Sequence, residues 1–200
     1  MPKGFTDREK ALIRAGLLEK GRELFAAYGV RKTNVEDLTR AVGISKGAFY
    51  LFFDSKEELF FELLEQFESD FQVVLLEHIA RDGAPPRERM RALLREALSV
   101  WKHNALFTHF SREEYEYLFR KLPPAKMQAH LSKDDAFAVE FAAAWRRAGV
   151  AIAREPILVS GLIRALFFIS LHEEEFGDGI YPNVIDVYIE LLSSYLIPGE

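Results

Sequence analysis

Apolar positions recur at three- and four-residue spacing along nearly the whole chain, and no stretch carries strand signals. The first such pattern, Ile13, Leu17, Leu24, Phe25 and Tyr28, predicts a helix over residues 7–28. A Thr6–Glu9 capping box opens it and Gly29 closes it. Gly16 and Gly21 lie inside, each at a cost of about 0.5–1 kcal/mol relative to Ala; close helix packing would explain Gly21. A second long stripe, including Leu59, Phe60, Leu63, Phe67, Phe71 and Leu75, predicts a helix over 56–80, broken by Asp82-Gly83-Ala84-Pro85-Pro86. Further helices are predicted over 87–104, from Ser111 and Glu114 up to Pro123, over 124–147 with Gly149 as its stop, from Pro156 to the Gly177-Asp178-Gly179 break, and over 182–196. The fold class is all-α, with about nine helices, no repeats and no low-complexity tract.

Residues 33–53, TNVEDLTRAVGISKGAFYLFF, read as two short helices around a tight turn. Thr33 with Glu36 is a second capping box. Val35, Leu38, Ala41 and Val42 share one face, Gly43 stops the helix, and Ile44 plugs the turn. Ser45 is a good N-cap for the next helix, which carries Lys46 to Phe53. Small residues stand at its start and aromatics behind them. This is the pattern of a helix-turn-helix, whose second helix enters a DNA major groove.

The order ELFAAYGV (23–30), TNVEDLTRAVGISKGAFYLFF (33–53) and DSKEELF (54–60) resembles the N-terminal domain of the tetracycline-repressor (TetR-like) family of bacterial transcriptional regulators. The resemblance implies a DNA-binding domain at 1–53 and a ligand-binding and dimerisation domain at 54–200. It also implies contacts with the DNA backbone from Thr33, Ser45, Tyr50 and Lys56, with Lys46, Gly47 and Ala48 against base edges. Lys46 is suited to guanine O6/N7, or to simple phosphate neutralisation. Phe25, Leu38, Ile44, Phe49 and Phe53 are the expected core of this part. The family motif usually has an aromatic and then His after the tyrosine. This chain has Leu51 and Phe52, which cannot bond a phosphate and suit either a thymine methyl or packing on the first helix.

Charge agrees with that division. The chain is acidic overall, at −5, yet residues 1–50 hold ten Lys and Arg against six Asp and Glu. A basic head on an acidic remainder suits a protein that presents only its head to phosphates. There is no Cys, so disulfides and thiolate metal sites are excluded. The N-terminal MPKGFTDREK lacks the apolar core of a signal peptide. The longest apolar run, 156–171, is interrupted by Ser160, Gly161 and Arg164 and falls short of a membrane span. A cytoplasmic protein without membrane contact is expected.

The last two helices are apolar on more than one face, which predicts burial nearly all round. A second copy of the chain is expected to supply the missing cover, through a four-helix bundle with two helices from each protomer, a well-buried monomer core being the alternative. Leu158, Leu162, Phe167, Val184, Val187, Tyr188, Leu191, Leu192 and Tyr195 are the expected homodimer interface.

Trp101, Phe107, Phe110, Tyr115, Met127, Phe141, Trp145, Phe168 and His172 are candidates for an apolar effector pocket. Singly, each reads as core. The resemblance implies that a small molecule bound there lowers DNA affinity. A mainly apolar effector and a cationic drug stay open as ligand classes, the latter needing inward acids among Glu113, Glu116, Asp134 and Glu140. An enzyme is not expected: no His follows a Glu by three residues, HExxH is absent, and His172-Glu173-Glu174-Glu175 lies at a helix end. No cofactor or metal is expected. The partners are double-stranded DNA, a small effector and a second copy; a non-enzymatic architectural or RNA-binding protein is the remote alternative.

Overall fold

A computed structural model describes residues 5–79, 83–152, 154–177 and 179–198. The predicted helix end at Ala80 and the break residues Asp82 and Asp178 lie outside the described residues. Within them the chain is helical: α1 Asp7–Lys32, α2 Val35–Val42, α3 Lys46–Phe49, α4 Lys56–Ile79, α5 Pro86–His103, α6 Arg112–Lys121, α7 Pro124–Arg147, α8 Pro156–Leu171 and α9 Tyr181–Leu196. Short 3₁₀ turns at Ala105–Phe107 and Glu173–Phe176 were not foreseen. Two compact units result, and they do not part at residue 53. The first takes Met1–Phe67 and His103–Pro123; the second takes Glu68–Lys102 and Pro124–Glu200.

In the first unit, Thr6 and Glu9 form the expected capping box of α1. Regular helix geometry fails at Gly29 (φ 77°, ψ 168°), and one further turn reaches Lys32. The cap of α2 is a correction: Asn34, not Thr33, accepts the bond from Asp37 N at 2.9 Å. Two adjacent residues can cap here, and Thr33 is drawn away by Gly29 and Leu24. Gly43 ends α2 in the left-handed region (φ 72°), as a tight stop requires.

The second helix of the motif is shorter than predicted. Only Lys46–Phe49 is α-helical, and tighter bonds from Leu51 N to Ala48 O (3.1 Å) and Phe52 N to Phe49 O (2.9 Å) carry the chain on. Four residues cannot hold a helix by themselves. Phe49 holds it instead, fully buried and edge-on to Tyr50, a burial that contributes about 1.5–3 kcal/mol. Leu17, Phe25, Leu38, Phe53, Leu59 and Leu63 complete this core. A Cβ on Gly21 would meet Leu59 Cδ2 at 2.5 Å, so glycine there lets α1 and α4 approach closely.

Residues 103–123 join the same unit through aromatic rings. Phe60 stands edge-on to Phe25 (centroids 5.3 Å) and stacks on Phe110 (5.6 Å), while Phe107 meets Phe67 edge-on at 4.9 Å.

The second unit has its own core of Met90, Leu94, Phe141, Trp145, Val159, Leu166, Ile189 and Leu196, drawn from α5, α7, α8 and α9. Trp145 is fully buried, with the Arg89 guanidinium 5.1 Å from its ring. Surface ion pairs join α5 to α9, Arg91–Glu190 at 2.5 Å and Arg95–Asp186 at 2.9 Å. Pairs this exposed are worth little singly.

Candidate nucleic-acid interface

Around α3 the first unit separates inward from outward side chains. Phe49 and Phe53 point into the core. Ser45 is spent as the N-cap, its hydroxyl accepting from Ala48 N at 3.2 Å. Gly47 is exposed, and a Cβ there would meet only Ser45 Oγ at 4.0 Å. Ala48 is half-buried. Lys46, Tyr50 and Leu51 face solvent.

Lys46 is not free in this arrangement. Its Nζ lies 2.6 Å from Glu36 Oε1 on α2. That hydrogen bond raises the Lys46 pKa and lowers that of Glu36. The pair escapes sequence reasoning, because ten residues separate its members and only the helix crossing joins them.

Leu51 and Phe52 have different fates. The Phe52 ring is half-buried with its centroid 6.3 Å from that of Phe5, just before α1. Leu51 is 68% exposed.

Two residues expected at the DNA backbone have partners within the protein. Thr33 is 2% exposed, and its hydroxyl donates to Gly29 O at 2.8 Å and Leu24 O at 3.3 Å. Lys56 Nζ donates to three carbonyls at the end of α1: Val30 (2.7 Å), Arg31 (3.0 Å) and Thr33 (2.6 Å). A cation among the unpaired carbonyls of a helix C-terminus is well placed. Burial nonetheless lowers the Lys56 pKa. Beside it, Tyr117 on α6 donates to Glu57 Oε1, and burial followed by that bond pushes its pKa up to about 12.

Residues 17–63 match the model of the bacterial regulatory proteins of the tetR family. The N-terminal part is TetR-like. It is 34% identical over 79 residues to the HTH-type transcriptional repressor DhaR of Mycobacterium sp. (strain GP1), covering 40% of each chain. The match thus spans less than half the length of that curated relative. A TetR-family transcriptional regulator from Pectobacterium atrosepticum has the same fold, with a TM-score of 0.68, 20% identity, and coverage of 98% of this chain and 99% of that one. AibR, solved in complex with isovaleryl coenzyme A and operator DNA, has a TM-score of 0.51 at 18% identity, covering 94% and 100%.

The nine candidate pocket residues do not gather in one compact unit. Phe107, Phe110 and Tyr115 belong to the first, where Phe107 and Phe110 are core. The other six belong to the second. There Phe141 and Trp145 are core, Met127 is half-buried, and Trp101 stands edge-on to Phe167 at 4.6 Å. Phe168 is partly exposed, and His172 Nδ1 lies 2.9 Å from Glu175. The four acids that a cationic ligand requires already have partners. Asp134 pairs with Arg164 (3.3 Å), Glu140 with Arg147 (2.6 Å) and Glu116 with Arg112 (2.9 Å), and Glu113 accepts from Ser111 (2.7 Å).

The expected pairing face of α8 and α9 also sorts itself. Leu158, Leu162, Tyr188, Leu191, Leu192 and Tyr195 line an open apolar groove of about 330 Å³. Val187 is exposed beside it and Val184 is half-buried. Phe167 packs on Trp101 and lies about half a helical turn away from Leu158.

No helix among the described residues is long and apolar enough to cross a membrane, and none of those residues form a cluster suited to a metal ion.

Proposed function

We propose that this TetR-like chain is a transcriptional repressor. It binds a near-palindromic DNA operator as a homodimer and is released by a small, mainly apolar effector. The observation that carries the DNA part is the outward set Lys46, Tyr50 and Leu51 on a turn whose Phe49 and Phe53 are buried. Lys46 and the Tyr50 hydroxyl suit phosphate or base-edge contacts. Gly47 leaves room for a close approach.

The homodimer rests on the open leucine groove of α8 and α9. Two-fold pairing there sets the two heads to matching half-sites, one helical turn or about 34–36 Å apart. The effector rests on the aromatic side chains of the second unit and on the prior engagement of its acids, which disfavours a cationic ligand. AibR, which was solved with both an acyl coenzyme A and operator DNA, supports the pairing of these two activities.

A gel shift with the DNA upstream of the chain's own gene tests the reading. Affinity is expected to fall steeply between about 50 and 200 mM salt as counterions are taken up again. The solution mass is expected to be twice 23.0 kDa. No shift, or a shift indifferent to salt, overturns the DNA part; a single-copy mass at micromolar concentration overturns the dimer.

A further inference from the structure

From the surface around α3 we infer that Leu51 is a specificity residue, which reads a thymine by its C5-methyl group. The inference rests on the DNA-binding reading above and goes beyond it by naming the base. Leu51 has no donor or acceptor, so it gains nothing from phosphate oxygens or from the polar edges of bases. Among the groups that the four base pairs offer in the major groove, the thymine methyl is the apolar one.

In the structure Leu51 is open to an approaching duplex. Its backbone N–H is held by Ala48 O at 3.1 Å, which fixes the turn that carries it. Its side chain remains open, while the next residue, Phe52, is turned toward Phe5. Gly47, on the same turn, carries no side chain and stands open. Tyr50 and Lys46 are exposed on the same turn, where their polar ends suit the contacts that hold a duplex in register. A lone exposed leucine is unremarkable on a protein surface. On the turn that follows Ser45, though, Leu51 is the exposed large aliphatic side chain, and its apolar partner on DNA is a thymine methyl.

The test uses the full-length chain. Duplexes are selected from a random pool, and each thymine of the bound half-site is replaced in turn by deoxyuridine, which removes the methyl and nothing else. At one position per half-site the replacement is expected to weaken binding about four-fold, the effect of one buried methyl-sized group. Leu51→Ala, at an exposed site that leaves helical content unchanged, is expected to bind thymine and deoxyuridine duplexes equally. Lys46→Ala is expected to keep the difference at lower overall affinity. If no thymine position responds, or if Leu51→Ala keeps the full deoxyuridine penalty, the inference is overturned while DNA binding stands. If the chain selects no duplex at all, both fall together.

Discussion

Lys46 Nζ lies 2.6 Å from Glu36 Oε1, so the cation on the candidate recognition turn is held by a carboxylate of the preceding helix. Docking on DNA must exchange that partner for a phosphate or a base. Glu36→Gln is expected to tighten operator binding several-fold, because it removes a negative charge from the approaching surface. Lys46→Ala is expected to weaken binding and to lower the slope of log affinity against log salt by about one. Fluorescence anisotropy over a salt series measures both.

Lys56 is a structural lysine on this geometry. Lys56→Met strips the carbonyls of Val30, Arg31 and Thr33 of their shared donor. Leaving such groups unsatisfied costs about 1–3 kcal/mol. A lower urea midpoint is expected, with the salt slope of DNA binding unchanged. A reduced slope with unchanged stability would return Lys56 to the phosphates.

Tyr117 ties stability to alkaline pH. Its folded pKa, pushed up to about 12, lies above the ordinary value of 10.0, so folding favours the protonated phenol. The stability this contributes is complete below about pH 10 and is lost as pH rises from there toward 12. Tyr181, also raised to about 12 by burial, loses stability in the same window. Tyr117→Phe is therefore expected to flatten the alkaline slope in part. Urea midpoints for both proteins at several alkaline pH values read the difference.

Gly21 faces two opposing effects. Gly21→Ala gains about 1 kcal/mol of helix propensity. The added methyl meets Leu59 Cδ2, in a fully buried side chain, at 2.5 Å. Overpacking of that kind costs about 1–3 kcal/mol. A net loss of about 1 kcal/mol is expected in chemical unfolding.

Leu191, 64% exposed on the groove of α8 and α9, tests the homodimer. Leu191→Glu places a charge at the centre of the proposed pairing face. A shift from the two-copy to the one-copy mass is expected in light scattering, with far-UV circular dichroism preserved. An unchanged two-copy mass would place the pairing face elsewhere.

The helices were legible because local signals agreed with the packing. The predicted 124–147 segment matches α7 at both ends, and Thr6, Gly43, Ser45 and Pro156 act at the termini as their chemistry dictates. Inward positions such as Phe25, Leu38 and Phe49 followed from periodicity for the same reason. Thr33, Lys56 and Phe167 have partners within the protein that their residue types did not announce. For Lys56 and Phe167 the partner is distant in sequence, the end of α1 and Trp101, whereas Thr33 bonds to Gly29 O four residues back, where the regular helix breaks.

Residue types and their spacing were thus enough for the all-helical class, the element boundaries to within a few residues and the turn between α2 and α3, since caps and helical faces act over three or four residues. Folding alone settled which side chains remain available: Lys46 held by Glu36, Phe52 turned toward Phe5, and Leu51 left open. Helix crossings decide availability, and no short-range pattern records where two helices cross.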